Sequence, residues 1–313
     1  MLRKGAIWPT VLPMKAAPIV VLAAVLLGAS VAAFAARPAM SFTSAEQPPG
    51  FVYARDGQEL VVVLEGGGQE PVEWDLSDTL RGDASRFIES IEPIAVRTLF
   101  VGICCEPADG RQLIVDRVTG TVEIFPFTVR FPSTRDGGLR YVSGGSSVAL
   151  NDLGSVLAYE SGVGVIAPGS TLLSREDGAA FRPVLLPQER IVVLDVVQGE
   201  ERLVLVDRSG AALATASLDA TELREIGLFD YDDRNNAVLA VVGEDSLVAL
   251  DAASLVELAR WQIDPSVVSL DVRDGWVAFT RADGSLEAAP LSAPDRTRQL
   301  VSDGVDVAAW LRG

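Results

Sequence analysis

The residues with the most distinctive chemistry are two adjacent cysteines, Cys104 and Cys105, in the phrase GICCEPADG; they are the only thiols in the 313-residue chain. Successive side chains on a strand point to opposite faces, so neighbours do not suit a shared metal, and no other soft ligand is present. In an oxidising compartment two thiols tend to pair. Adjacent Cα atoms lie about 3.8 Å apart, below the usual disulfide range, so such a bond must strain the peptide between them. Glu106-Pro107 and Asp109-Gly110 mark a turn that would absorb the strain. The expectation is a vicinal disulfide between Cys104 and Cys105 in a loop. The alternative is a buried thiol pair, or one thiol buried and one exposed.

Oxygen ligands gather in Asp230-Tyr231-Asp232-Asp233-Arg234-Asn235-Asn236. Calcium favours such donors. The stretch nevertheless lacks the glycine and terminal glutamate of an EF-hand loop, and Asp and Asn are ordinary turn formers, so a solvated turn is the reading adopted. Gly66-Gly67-Gly68 is followed by neither a Lys nor a helix signal, which argues against a phosphate loop. Carboxylates are so abundant that no catalytic pair can be picked, and the catalytic residues stay unknown. No metal or cofactor is expected. Trp74, Trp261, Trp276 and Trp310 are read as packing residues rather than a sugar platform.

The chain has no histidine. That excludes Ser-His-Asp hydrolysis, Cys-His nucleophiles, the usual zinc sites and imidazole proton shuttles. The formal net charge is −17, with 43 acidic residues against 26 basic ones. Such a body lacks the basic stripe that a phosphate backbone needs, so nucleic acid is not an expected partner.

The elements that position these groups begin with the N-terminus. Residues 1–18 carry Arg3, Lys4 and Lys15 and no acid. Residues 19–36, IVVLAAVLLGASVAAFAA, hold no charge and would reach ~27 Å as a helix, close to a bilayer core. The basic flank places residues 1–18 in the cytoplasm and the body outside. Two outcomes stay open: an uncleaved transmembrane anchor, or a signal peptide cleaved after the A-x-A pattern Ala33-Phe34-Ala35. Residues 37–50, rich in Pro, Ser and Ala, read as a linker. The body is residues 51–313.

Within the body a phrase recurs: an aliphatic run, a polar turn, and a second β-prone run. QLIVDRVTGTVEIF (112–125) shows it most clearly, with Gly120 suited to a positive φ in the turn. VLAYESGVGVIA from Val156, LVLVDRSGAALAT from Leu203, LVALDAASLVELA from Leu247 and VAFTRADGSLEAA from Val277 repeat it. The residues closing the first run, Asp116, Glu160, Asp207 and Asp251, are 44, 47 and 44 residues apart. A further unit near Arg281 reads as a shortened copy. The shared aspartates are best explained as turn caps.

A period near 40–45 residues with several short strands per period marks a β-propeller blade. The fold expected is all-β: a propeller of about six blades, within five to seven, after one N-terminal hydrophobic helix. FVYARDGQELVVVL (51–64) is a hairpin turning at Asp56-Gly57, and the strand-like 305–311 would pair with it to close the ring. Residues 79–91 are read as a short helix or a long loop.

The unit LVALDAASLVELARW resembles the repeats of bacterial YVTN-type and PQQ-like propellers, and the rhythm is similar to TolB-like propellers as well. The resemblance implies an interaction platform, with enzymes as a minority. There is no WD dipeptide, and no quinone-binding residues carry over. The functional expectation is an extracytoplasmic binding or scaffolding propeller with a protein or small-molecule partner. The alternative is a cell-envelope hydrolase or lyase using Asp/Glu, with calcium as an optional ion. Acids with raised pKa values in a central pocket would favour that alternative.

Overall fold

The structure is a computed structural model, and it describes residues 41–64, 70–80, 87–103, 112–125, 130–135, 138–143, 147–152, 170–174, 184–197, 200–207, 211–216, 218, 228–243 and 245–312. The disulfide expected at Cys104 and Cys105 and the apolar run 19–36 lie outside these residues, as do Gly66-Gly67-Gly68 and the repeat unit containing Glu160. Among the described residues no helix is long and apolar enough to cross a membrane.

Twenty-four strands form six four-stranded antiparallel sheets among the described residues. Blade 1 contains β1 (Phe51–Arg55), β2 (Glu59–Val63) and β3 (Val72–Asp75). Blade 2 is β4 (Ile88–Pro93), β5 (Thr98–Ile103), β6 (Gln112–Asp116) and β7 (Val122–Phe125). Blade 3 is β8 (Arg130–Arg135), β9 (Gly138–Ser143), β10 (Ser147–Asp152) and β11 (Ser170–Ser174). Blade 4 is β12 (Val184–Leu185), β13 (Ile191–Val197), β14 (Glu200–Val206) and β15 (Ala212–Thr215). Blade 5 is β16 (Phe229–Asp232), β17 (Ala237–Val242), β18 (Ser246–Asp251) and β19 (Glu257–Gln262). Blade 6 is β20 (Val267–Arg273), β21 (Trp276–Arg281), β22 (Leu286–Pro290) and β23 (Arg298–Val301).

The last strand, β24 (Val305–Trp310), leaves its sequence neighbours and pairs with β1, with Phe51 opposite Trp310. It becomes the innermost strand of blade 1. The six innermost strands then touch in a closed cycle, β4 to β8, β12, β16, β20, β24 and back to β4. The described residues form an all-β propeller whose first and last strands are joined inside one blade. Each blade keeps an inner edge, but closure leaves that edge short and flanked by its neighbours, which is why it stabilises the array.

The burial pattern follows from position in the blade. β17 (AVLAVV) and β21 (WVAFTR) are buried at every residue, because each lies in the middle of a sheet covered by a neighbouring blade on either face. Their Val, Leu and Phe side chains are worth about 1.5–3 kcal/mol each on full burial. The outermost β3 (VEWD) and β15 (ALAT) are mostly exposed. Apolar clusters fill the gaps between blades: Leu205 with Val238 between blades 4 and 5, Leu239 with Phe279 between 5 and 6, Tyr53 with Trp276 between 6 and 1, and Leu60 with Leu99 between 1 and 2. No blade completes a core alone.

Three sequence expectations change in detail. Residues 77–80 form a turn and Ile88 already begins β4, so the short helix considered for 79–91 finds no counterpart among the described residues. The unit near Arg281 is not a shortened copy of the hairpin at Asp251. It is the β21–β22 hairpin, one strand earlier in its blade than β6–β7, β14–β15 and β18–β19. Every hairpin in an antiparallel blade is two apolar runs around a polar turn, so the pattern does not say which pair it is. Packing against the body also starts before Phe51. Phe42 is buried and meets the Trp261 ring edge-on at 4.9 Å, and Asn235 grips Thr43 through both its carboxamide atoms. Gly275 is what lets this strap lie flat. Its φ is +76°, and a Cβ there would stand 2.1 Å from the Thr43 carbonyl oxygen.

Candidate functional site: an acidic axial pocket

The inner strands converge on a cavity of about 190 Å³. Among the described residues five of these strands line it: β4 with Glu92, β12 with Leu185, β16 with Asp230, β20 with Asp271 and β24 with Trp310. Asp233, Arg273, Asp274 and Arg312 also line it, so among the described residues five acids face two arginines. The pocket sits where the inner strands end, in the axial region that a ring of blades leaves open.

The acids are held by the ring itself. One Asp230 carboxylate oxygen accepts the Val272 N–H of the next blade at 2.8 Å. Asp271, one blade further round, accepts the Trp310 N–H of β24 at 2.5 Å. Each carboxylate of one inner strand thus accepts an N–H from the following inner strand, a group that would otherwise lack a ladder partner. The series breaks between blades 1 and 2. The residue before Trp310 is Ala309, and the residue after Glu92 is Pro93, which has no N–H to give. There Arg312 reaches Glu92 at 3.4 Å instead. Arg312 is itself fixed through its carbonyl, which accepts from Arg117 at 3.3 Å.

Electrostatics follow the geometry. Burial pushes the Asp271 carboxyl well above the usual carboxylate range, and the Asp230 charge beside it acts in the same direction, as does Glu92. The hydrogen bond from Trp310 opposes these effects without outweighing them. Asp232 is also raised, again chiefly by burial. It is fully buried and accepts from the N–H groups of Gly275 and Asn235 and from the Asn235 side chain.

The sequence-derived candidates divide cleanly. The stretch 230–236 is not one solvated turn. Asp230 and Asp233 line the pocket, Asp232 and Asn235 are buried in the clamp that holds Thr43, and Tyr231 donates to Asn236 at 3.0 Å. Among the described residues no cluster of acids has the arrangement of a metal site. The repeat aspartates are turn caps: Asp116 accepts from Val118 and Thr119, Asp251 from Ala253 and Ser254, and Asp207 from Ala211. Trp310 packs edge-on against Phe51, and Trp74 covers Gly120 so closely that a Cβ there would lie 2.2 Å from the ring. At Gly120 the φ of +70° agrees with the turn geometry read from sequence.

Sequence reasoning missed Asp230, Asp271 and Glu92 as a group. A signal was present. Phe229-Asp230-Tyr231 and Leu270-Asp271-Val272 place an acid between apolar residues 41 residues apart, near the blade period, and Ile91-Glu92-Pro93 has the same shape.

No protein-family profile matches the chain, and no curated protein matches it. Solved structures similar to it include the Pan2 WD40 domain of Neurospora crassa, at 13% identity and TM-score 0.48 over 70% of this chain and 67% of that one. Apo AztD from Citrobacter koseri is similar at 9% identity and TM-score 0.46, over 83% and 97%. BamB from Moraxella catarrhalis is similar at 12% identity and TM-score 0.41, over 84% and 73%.

Proposed function

We propose that this propeller is an extracytoplasmic binding protein whose axial pocket takes a small polar ligand rich in hydrogen-bond donors, such as an amine. The observation that supports this reading is that, among the described residues, five inner strands bring five acids against two arginines to one small cavity. A rigid ring fixes such groups at little entropic cost to the bound state. The excess of acids disfavours phosphates and carboxylates. The extracytoplasmic location rests on the apolar run 19–36 behind a basic flank, and either an anchor or a cleaved signal serves it.

A hydrolase or lyase is the second reading, and the observation in its favour is the raised pKa of Asp271 beside Asp230 in a central pocket. Both carboxyls already accept backbone N–H groups from neighbouring strands, which gives them an architectural role that needs no substrate.

Calorimetric titration of the purified protein with a panel of small primary amines, against carboxylates of matched size, tests the binding reading. Amines are expected to bind, carboxylates to fail, and Glu92→Gln to weaken the amines roughly tenfold, the loss of about 1.4 kcal/mol. Equal response to both panels, or none to either, overturns it.

A further inference from the structure

Asp230 and Asp271 sit on the adjacent inner strands β16 and β20 and line one cavity, and the neighbouring Asp230 carboxyl adds to the burial that raises Asp271. Two ionised carboxylates so placed repel and have no donor between them, so their close approach favours holding one proton. The same two carboxyls each accept an N–H from the next strand, Asp230 from Val272 and Asp271 from Trp310. Three consecutive inner strands, β16, β20 and β24, are therefore tied through a single carboxyl pair. The last of them is the closing strand, whose pairing with β1 makes the ring continuous.

From this geometry we infer that the Asp230–Asp271 pair shares one proton and acts as a pH-sensitive latch on the closure seam, tight when the proton is present and loosened when it leaves. This holds whether or not the pocket binds a ligand. Loss of the proton leaves two negative charges in contact between β16 and β20, beside the Trp310 N–H that holds β24. It also adds one negative charge to the pocket.

The surrounding charges act in both directions. Glu92 on β4 opposes ionisation of Asp271. Arg312, after β24, is committed to Glu92 and offsets it. Arg273, at the end of β20, lies 4.0 Å from the exposed carboxylate of its neighbour Asp274. Asp233, in the turn after β16, is exposed at the rim. No arginine is paired with Asp271 or Asp230 by an ion pair among the described residues.

The sign is fixed by linkage. Asp271 has a folded pKa above its unfolded value, so the folded state holds the proton more firmly. Its stabilising contribution is full below the unfolded pKa and is lost as pH rises through the folded pKa.

The experiment is thermal unfolding of the wild type, Asp271→Asn and Asp271→Ala from about pH 5 to about pH 9. The Asn amide carries its own donor to Asp230 and keeps an acceptor for Trp310, so it imitates the protonated form at every pH. Asp271→Asn is expected to match the wild type near pH 5 and to exceed its Tm by roughly 2–4 °C near pH 9. Asp271→Ala is expected to fall below the wild type at pH 5, because the Trp310 N–H loses its partner. A protonated-carboxyl infrared band present in the wild type at neutral pH and missing from Asp271→Asn is the direct signature. Parallel melting curves for wild type and Asp271→Asn across the range, or no difference in that band, overturn the latch.

Discussion

Aspartates at the outer turns and aspartates at the inner ring have the same side chain and opposite electrostatics. At the turns, Asp116 is held below its usual pKa: burial alone would raise it, but the N–H groups of Val118 and Thr119 and the guanidinium of Arg97 together outweigh that effect. Asp75, Asp264 and Asp283 are lowered by the serine two residues on, through hydroxyl and N–H together. At the ring, Asp232 and Asp271 also accept backbone N–H groups, yet both are raised, because removal from water dominates. A turn lets water reach the charge while N–H groups favour it. An inner strand lets in too little water for the same hydrogen bonds to win. Composition alone cannot separate the two populations.

The largest test of this contrast is Asp232→Ala. It strands the Gly275 N–H and the Asn235 side chain in a buried site and slackens the hold on Thr43, so a loss of about 3 kcal/mol is expected by chemical denaturation. A loss under about 1 kcal/mol would mean that the inner carboxylates are no more structural than the outer ones. Asp251→Ala at an outer turn comes next. It removes a cap on Ala253 and Ser254 where water can replace it, with an expected cost of about 1 kcal/mol.

The smallest effect concerns pH at the partly exposed Asp116. Its folded pKa lies below the unfolded value, so its contribution is present above the unfolded pKa and is lost as pH falls through the folded one. Asp116→Asn is expected to cost under about 1 kcal/mol at neutral pH, with the gap to the wild type closing in acid. This is opposite in sign to the dependence expected from Asp271. As pH falls, the melting temperatures of the two Asn variants would approach the wild type from opposite sides, Asp271→Asn from above and Asp116→Asn from below, and the same slope for both would erase the distinction.

Much of the architecture was legible. The hairpin turning at Asp56-Gly57, the hairpin over 112–125, and the pairing of 305–311 with the first hairpin all appear where alternation and turn residues place them. These features are local, or depend on the single requirement that a ring must close. The assignment of the Arg281 hairpin failed because strand order within a blade is set by which neighbour each sheet face covers, and that is not a local property. The strap was obscured for a related reason. Residues 41–50 look like linker by composition, and only Phe42 against Trp261 and Gly275 beneath Thr43 reveal a docked segment.

The sequence by itself determined a repeated antiparallel all-β body, an acidic surface without imidazole chemistry, and the turn-capping role of Asp116, Asp207 and Asp251, because each depends on residues near in the chain or on composition. Tertiary structure alone decided which carboxylates meet. Asp230 and Asp271 are a full blade apart in sequence, and only the packing of blade 6 against blade 5 brings their inner strands side by side, where burial raises Asp271.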